Sequence, residues 1–478
     1  MIYSNFYSFL IIVNNVIVSV NYWELSFFRF YSIIAIMKSK FSISVKNVRA
    51  IKDAEIDLNG ITVLSGENGC GKTTISKLLY GFIKTSIDFD SKVTELYSNK
   101  LGFITSLLED FVPRKFRRDL FSDVNEENLF GGNTETVLPN PVNIKNSELY
   151  LSDSIIPRIK ILKEKYKTKE YELGNVSVSR LFQLYKRHIR KTTATTILEL
   201  LDDYENYINK LVQEIAELKT THNLRVYNHQ FLKYFNENTE KWDYLFNEFD
   251  SNLIDKKTMS VTFQKSFSHV FYIDVPTIFD QERITRSSVS VELGTALASE
   301  SNSIKNKVIS DILNDVLNGK ISLKDDIFSR IFMYTSKDGK SIPLSQAASG
   351  VKCFAVIERL YMNGYLKDGT LLIVDEPEVH LHPKWIVEYA RILVLIHKWL
   401  NVTILADSHS PDMVSAIKYI SEKEKISDSL TFYIANEVES EDFGKYKYKN
   451  LGTDIEEIFS SFNIALDRIN QYGSFDDE

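Results

Sequence analysis

The chain has 478 residues, 44% hydrophobic and 25% charged, the balance of a globular protein and not of a disordered or collagen-like one. That length exceeds the usual single domain, so a large core with an inserted or appended lobe is expected. With 57 Lys and Arg against 64 Asp and Glu, the formal net charge of −7 gives no global attraction to nucleic acid and confines any such contact to local patches.

The run Phe9 to Val20 is apolar but broken by Asn14 and Asn15, and no Lys or Arg precedes Arg29. It lacks the charged start of a signal peptide and the roughly 20 clean apolar residues of a membrane span. Met37 is followed by Lys38-Ser39-Lys40 and an alternating run that reads as a first strand, so residues 1–36 are expected to be a non-native or disordered extension. Residues 37–95 then predict strands at Phe41–Val48, Ala54–Leu58 and Ile61–Leu64, a glycine loop after Ser65, and a helix from about Thr73. Residues 96–268 are polar and helical in period, the expected inserted lobe. Within them Ile197, Leu201, Tyr204, Ile208, Leu211, Ile215 and Leu218 recur at spacings of four and three. Both an amphipathic helix packed inside the lobe and a coiled-coil seam for a partner fit that pattern.

Residues 269–425 predict a strand at Val270–Val275 and a hairpin over Ile331–Leu344 with Asp338-Gly339 at its turn. They also contain two wholly apolar runs, Leu371–Val374 and Val402–Leu405, which suit parallel strands covered on both faces. Residues 426–478 add a strand at Leu430–Ile434 and a helix near Ile455–Ile469. The fold class is therefore α/β. The two cysteines are Cys70 and Cys353, and a disulfide at Cys70 would obstruct the glycine loop, which favours a reducing, cytoplasmic setting.

Gly66-Glu67-Asn68-Gly69-Cys70-Gly71-Lys72-Thr73 is a full phosphate-loop match, followed by Thr74. In such a loop the glycines let backbone N–H groups curl around phosphates, the Lys72 ammonium reaches the β- and γ-phosphates of ATP, and the Thr73 hydroxyl ligates Mg²⁺. Leu371–Val374 ends in Asp375-Glu376, where Asp375 would hold Mg²⁺ and Glu376 would polarise the attacking water. Ser349-Gly350 precedes an apolar helix and presents free N–H groups, although an isolated Ser-Gly is ordinarily only a helix cap. His380 and His382 read as part of the turn after Glu376, with no zinc assigned. The basic clusters Arg114–Arg118 and Lys186–Lys191 fit phosphate contacts or solvated helix faces.

These motifs, with Asp375-Glu376-Pro377-Glu378-Val379-His380-Leu381-His382-Pro383 and Asp407-Ser408-His409-Ser410-Pro411, stand in the order of ATPase heads of the SMC, RecF and OLD class. From Met37 onward the chain resembles bacterial AAA-type ATPases with that head. The resemblance implies a P-loop NTPase, ABC-like head with a large inserted helical lobe, ATP and Mg²⁺ as cofactors, and a head-to-tail homodimer. It implies that Ser349 and Gly350 contact the γ-phosphate of the opposite subunit, that His409 senses the γ-phosphate, and that Arg49 approaches the nucleotide. Asp407-Ser408-His409 departs from the more familiar Thr-Thr-His. The glutamine of related heads has no clear counterpart, Gln281 being a late one. With no further nuclease constellation, the architecture resembles stand-alone ATPase subunits of bacterial antiphage systems, Septu-type or PARIS-type, which control a separate nuclease or toxin effector. A RecF/SMC-like DNA-repair ATPase is the alternative, and a transporter subunit a more remote one.

Overall fold

The computed structural model describes residues 8–13, 16–21, 41–117, 148, 150–189, 192–274, 276–279, 288–299, 307–325, 330–438 and 444–460. In chain order the elements begin with β1 (Ser8–Val13), β2 (Val16–Asn21), β3 (Phe41–Val48), β4 (Ile51–Leu58), β5 (Ile61–Ser65) and α1 (Lys72–Ile87). Helices α2 (Phe89–Asp110), α3 (Ile156–Lys167), α4 (Asn175–His188), α5 (Ile197–Thr220) and α6 (Leu224–Phe235) follow. Then come β6 (Asp243–Glu248), β7 (Ser251–Asn252), β8 (Ile254–Asp255), β9 (Ser260–Val261), β10 (His269–Ile273), α7 (Ser288–Ala298) and α8 (Lys307–Leu317). After β11 (Gly319–Asp325), β12 (Arg330–Ser336) and β13 (Ser341–Pro343) the chain forms α9 (Ser349–Met362), β14 (Thr370–Asp375) and α10 (Pro383–Leu400). It continues through β15 (Thr403–Ser408), α11 (Pro411–Lys423), β16 (Leu430–Glu437) and β17 (Tyr446–Gly452).

The described residues form two compact units, one within 1–76, 242–252 and 265–478, the other within 77–241 and 253–264. The helical unit thus starts at 77 where the sequence suggests 96, and β6 and β7, inside the expected insertion, return to the sheet of the first unit. The alternating burial of β6, with Tyr244 and Phe246 covered, fits a strand against one apolar face.

That sheet has ten strands in the order β10-β14-β15-β5-β16-β17-β4-β3-β6-β7. The first five run parallel, and Leu371, Leu372, Ile373 and Val374 of β14 are each at most 1% exposed, so the run is apolar throughout because both faces are covered. The hairpin β12–β13 turns at Gly339, which takes φ +85° as its tight turn requires. β17 is polar and half-exposed, Tyr-Lys-Tyr-Lys-Asn-Leu-Gly, which conceals it from a hydrophobicity reading. β1 and β2 pair as a separate two-stranded antiparallel sheet. Val275, Gln281 and residues 461–469 of the expected final helix lie outside the described residues.

In the helical unit, α5 starts with a capping box, Thr196 accepting from the Glu199 N–H while the Glu199 carboxylate accepts from Thr196 N–H. Its seam is core: Leu201, Tyr204, Ile208 and Ile215 are fully buried, the Tyr204 hydroxyl donates to Ile104 O at 2.7 Å, and Tyr204 stacks on Phe111. Of the two readings that the spacing leaves open, packing inside the lobe is the one these buried residues fit. Of the two basic clusters, Arg117 pairs with Asp110 at 3.5 Å and His188 packs on Phe103, while Arg118, Arg190 and Lys191 lie outside the described residues.

Candidate nucleotide-binding and hydrolysis site

Parallel strands end their carboxyl termini together, and ligands bind in the crevice beyond them. Here Ser65 of β5 stands opposite Ser408 of β15, and Asp407 opposite Asp375 of β14. Three chemically loaded loops therefore leave the sheet side by side. The loop Gly66–Gly71 crosses this end and feeds α1, whose first N–H groups and positive dipole end suit phosphate. Gly71 takes φ +103°, and a Cβ there would come 2.6 Å from Ile51 Cγ1; a Cβ on Gly66 would come 2.9 Å from Ala435 Cβ. Only glycine fits at either position. The Lys72 ammonium is held by Gly66 O at 2.8 Å and Glu67 O at 3.0 Å. Under the loop, Cys70 is buried with its Sγ 3.7 Å from the Tyr448 hydroxyl, so β17 braces the loop from below.

The Thr73 hydroxyl donates to Asp375 Oδ1 at 3.2 Å. A hydroxyl and a carboxylate oxygen placed together are hard oxygen donors, the set that suits Mg²⁺, so the residues present fit that cation. The other carboxylate oxygen, Asp375 Oδ2, accepts from the Tyr272 hydroxyl of β10. Burial first, then the Asp375 charge, pushes the Tyr272 phenol far above its ordinary range. Behind them Asp407 is fully buried and its Oδ2 lies 2.6 Å from the Ser76 hydroxyl. Burial, followed by the nearby Asp375 charge, holds the Asp407 carboxyl well above the usual carboxylate range.

Glu376 adopts φ 48°, ψ 54°, a left-handed conformation uncommon for a residue with a side chain, and its N–H donates to Asp407 O at 3.0 Å. Such strain is held in place by its surroundings and turns the chain sharply after β14. The half-exposed Glu376 carboxylate then lies 3.6 Å from His409 Nδ1. His409 Nδ1 is also 3.4 Å from Glu378 Oε1. Glu378 is buried, and the same Oε1 accepts from the Ser408 hydroxyl and from His409 N–H, both at 2.8 Å.

The sequence motifs for Lys72, Thr73, Asp375, Glu376 and His409 thus converge at the carboxyl ends of the interior parallel strands β5, β14 and β15. Thr74 is buried in the first turn of α1, while Glu67, Asn68 and Gly69 form the exposed crest of the loop. Ser349 and Gly350 open α9, whose N-cap Ala348 supplies no side-chain cap; Ser349 is exposed, and a Cβ on Gly350 would meet only Leu381 Cδ2 at 3.7 Å, an ordinary contact. Arg49, at φ 50° between β3 and β4, sets its guanidinium 5.4 Å from the Trp242 ring centroid. His382 caps α10, its Nδ1 accepting from Lys384 N–H at 3.4 Å. Tyr272, Tyr448, Ser76 and Glu378 were missed by the motif reading. Glu378 alone carried a signal, a third carboxylate beside Asp375 and Glu376.

A family model described as an AAA ATPase domain matches residues 38–414. The chain belongs to that family. It is an AAA-type ATPase domain protein with a mixed α/β P-loop fold and helical insertions. No curated protein matches it. Among solved structures, the ATPase is similar to the Smc head domain from Pyrococcus furiosus bound to the C-terminal domain of ScpA. That likeness has 10% identity and TM-score 0.31 over 90% of this chain and 99% of the other. It is also similar to the SMC head domain from Thermotoga maritima, at 9% identity and TM-score 0.33 over 86% and 99%. A third is the Smc head domain with coiled coil and joint from Pyrococcus yayanosii, at 10% and 0.34 over 89% and 99%. No helix among the described residues is long and apolar enough to cross a membrane.

Proposed function

We propose that this ATPase binds and hydrolyses Mg²⁺-ATP in a composite site between two copies, and that the cycle controls a separate effector. The observation that carries the reading is the meeting of Thr73, Asp375, Glu376 and His409 at the ends of adjacent parallel strands beside the Gly66–Lys72 loop. The loop N–H groups and Lys72 bind the phosphates. Thr73 and Asp375 would hold Mg²⁺, which when bound neutralises charge on the transferred phosphoryl group. Glu376 orients the attacking water and accepts its proton, and His409 stands beside it to report the terminal phosphate. Asp407, buried behind Asp375 and bonded to the Ser76 hydroxyl, takes the place of the more familiar threonine, and its burial disfavours a second negative charge beside the metal position.

The exposed start of α9 supports the dimer. Among the described residues a Cβ on Gly350 would meet only Leu381 Cδ2 at 3.7 Å, which leaves room for an approach from outside, and the positive dipole end of α9 suits the γ-phosphate of a second copy. We assign Arg49 a place near the nucleotide on the family resemblance alone. Two free cysteines accord with a reducing cytoplasm. The partner, on the resemblance to stand-alone antiphage ATPases, is a nuclease or toxin encoded separately. Light scattering of the Glu376→Gln variant tests the composite site. Its mass should double on adding Mg²⁺-ATP; a mass that stays constant with nucleotide bound would refute it.

A further inference from the structure

We propose that Glu378 is a positioning residue for hydrolysis, a buried clamp that fixes the Ser408-His409 turn and so sets the His409 imidazole against Glu376. This deepens the hydrolase reading above and rests on it. Glu378 follows the strained Glu376 in the turn Pro377–His380, which is braced by Val379 N–H to Glu376 O at 3.2 Å and Leu381 N–H to Glu378 O at 3.0 Å. From there its side chain, only 5% exposed, reaches under the end of β15. One oxygen takes two donors from that neighbouring loop, the Ser408 hydroxyl and the His409 N–H, and sits 3.4 Å from His409 Nδ1. Ser408 in turn accepts from Ser410 N–H at 3.1 Å, so the clamp extends through the whole turn into the start of α11.

Stability alone does not account for this carboxylate. Its other oxygen, Oε2, is buried with no hydrogen-bond partner among the described residues, a state that costs free energy in any fold. What the arrangement supplies is geometry. Glu378 holds the Ser408 hydroxyl and the His409 backbone N–H, so the imidazole is placed through its main chain, its Nδ1 near the carboxylate but without a hydrogen bond to it among the described residues. Here the same short turn carries the metal-side Asp375, the water-side Glu376 and the clamp, so the loops after β14 and β15 hold a common position. His409 is placed by Glu378 from below and faces Glu376 Oε1 at 3.6 Å.

Steady-state kinetics of Glu378→Ala, Glu378→Gln, His409→Ala and the Glu378→Ala/His409→Ala pair, with ATP affinity by calorimetry and melting temperature for each, test this. Glu378→Ala should lower kcat by about tenfold or more while KM and ATP affinity stay within about threefold. Glu378→Gln, whose amide oxygen still accepts from Ser408 and His409 N–H, should recover to within about threefold of the parent. The double variant should be no slower than His409→Ala, because both changes remove one unit. Wild-type kcat in Glu378→Ala would overturn the proposal. So would multiplying losses in the double variant, or equal losses in the Ala and Gln variants tracking a lower melting temperature. Absence of phosphate release from the unsubstituted protein would instead defeat the hydrolase reading itself, and is seen before any variant is compared.

Discussion

Thr73 Oγ1 lies 3.2 Å from Asp375 Oδ1, although 302 residues separate the two in the chain. The contact exists because β5 and β14 flank β15 in one parallel sheet, so the phosphate loop and the acidic strand end open on the same crevice. Asp375 is held from its other side by Tyr272. Removing that hydroxyl in Tyr272→Phe keeps the ring and its packing but frees one carboxylate oxygen. The Mg²⁺ concentration that half-saturates thermal stabilisation by ATP should rise several-fold, with metal-free ATP affinity unchanged. An unaltered Mg²⁺ titration would show that the phenol does not position Asp375.

Glu358 on α9 is buried, its Oε2 has no hydrogen-bond partner among the described residues, and burial pushes its carboxyl up to about 7. A folded-state value above the unfolded one means that the unfolded chain ionises first as pH rises, so stability falls between about pH 4.5 and 7. Glu358→Gln removes that loss. Its melting temperature should match the parent near pH 4 and exceed it at pH 8; an equal difference at both values would contradict the assignment.

Ile208 and Ile215 are fully buried in the helical unit. Replacing either with Asp places an unpaired carboxylate in a core whose whole stability is of the order of 5–15 kcal/mol. Both variants should lose the cooperative unfolding transition of that unit in circular dichroism. Retained helix with loss of a binding partner would restore the docking reading of this seam.

Gly350 and Ser349 carry a prediction about assembly. Gly350→Gln adds bulk at the start of α9, where a Cβ makes only an ordinary contact with Leu381, so the monomer should fold and bind ATP normally. ATP-dependent doubling of mass and ATP turnover should both be lost, turnover by about tenfold or more. Normal turnover in this variant would place the signature helix outside the site.

The site was legible in the sequence wherever its chemistry is local. Gly66–Thr73 and Asp375-Glu376 each carry a spacing whose reason is contained in a few residues. The partners Tyr272, Tyr448 and Ser76 were not, because each reaches the site by sheet register or helix packing between segments far apart in the chain. The buried strands were legible from unbroken apolar runs, as in β14. β17 and β6 were not, since β17 carries Lys at alternate positions and β6 is a short run with Asp at one end and Asn and Glu at the other inside a polar stretch, so both look like surface segments. The heptad spacing in α5 specified an apolar face but could not say what covers it; Tyr204 and Phe111 do.

The central claim is that Lys72 and Glu376 serve one ATP-hydrolysing site in different ways. Phosphate release by purified wild type, Lys72→Ala and Glu376→Gln, paired with ATP titration calorimetry on the same preparations, tests it most directly. Wild type should release phosphate, Glu376→Gln should bind ATP as tightly but turn over at least about a hundredfold more slowly, and Lys72→Ala should lose binding. Undiminished turnover in Glu376→Gln, or ATP affinity in Lys72→Ala equal to that of wild type, would contradict the account.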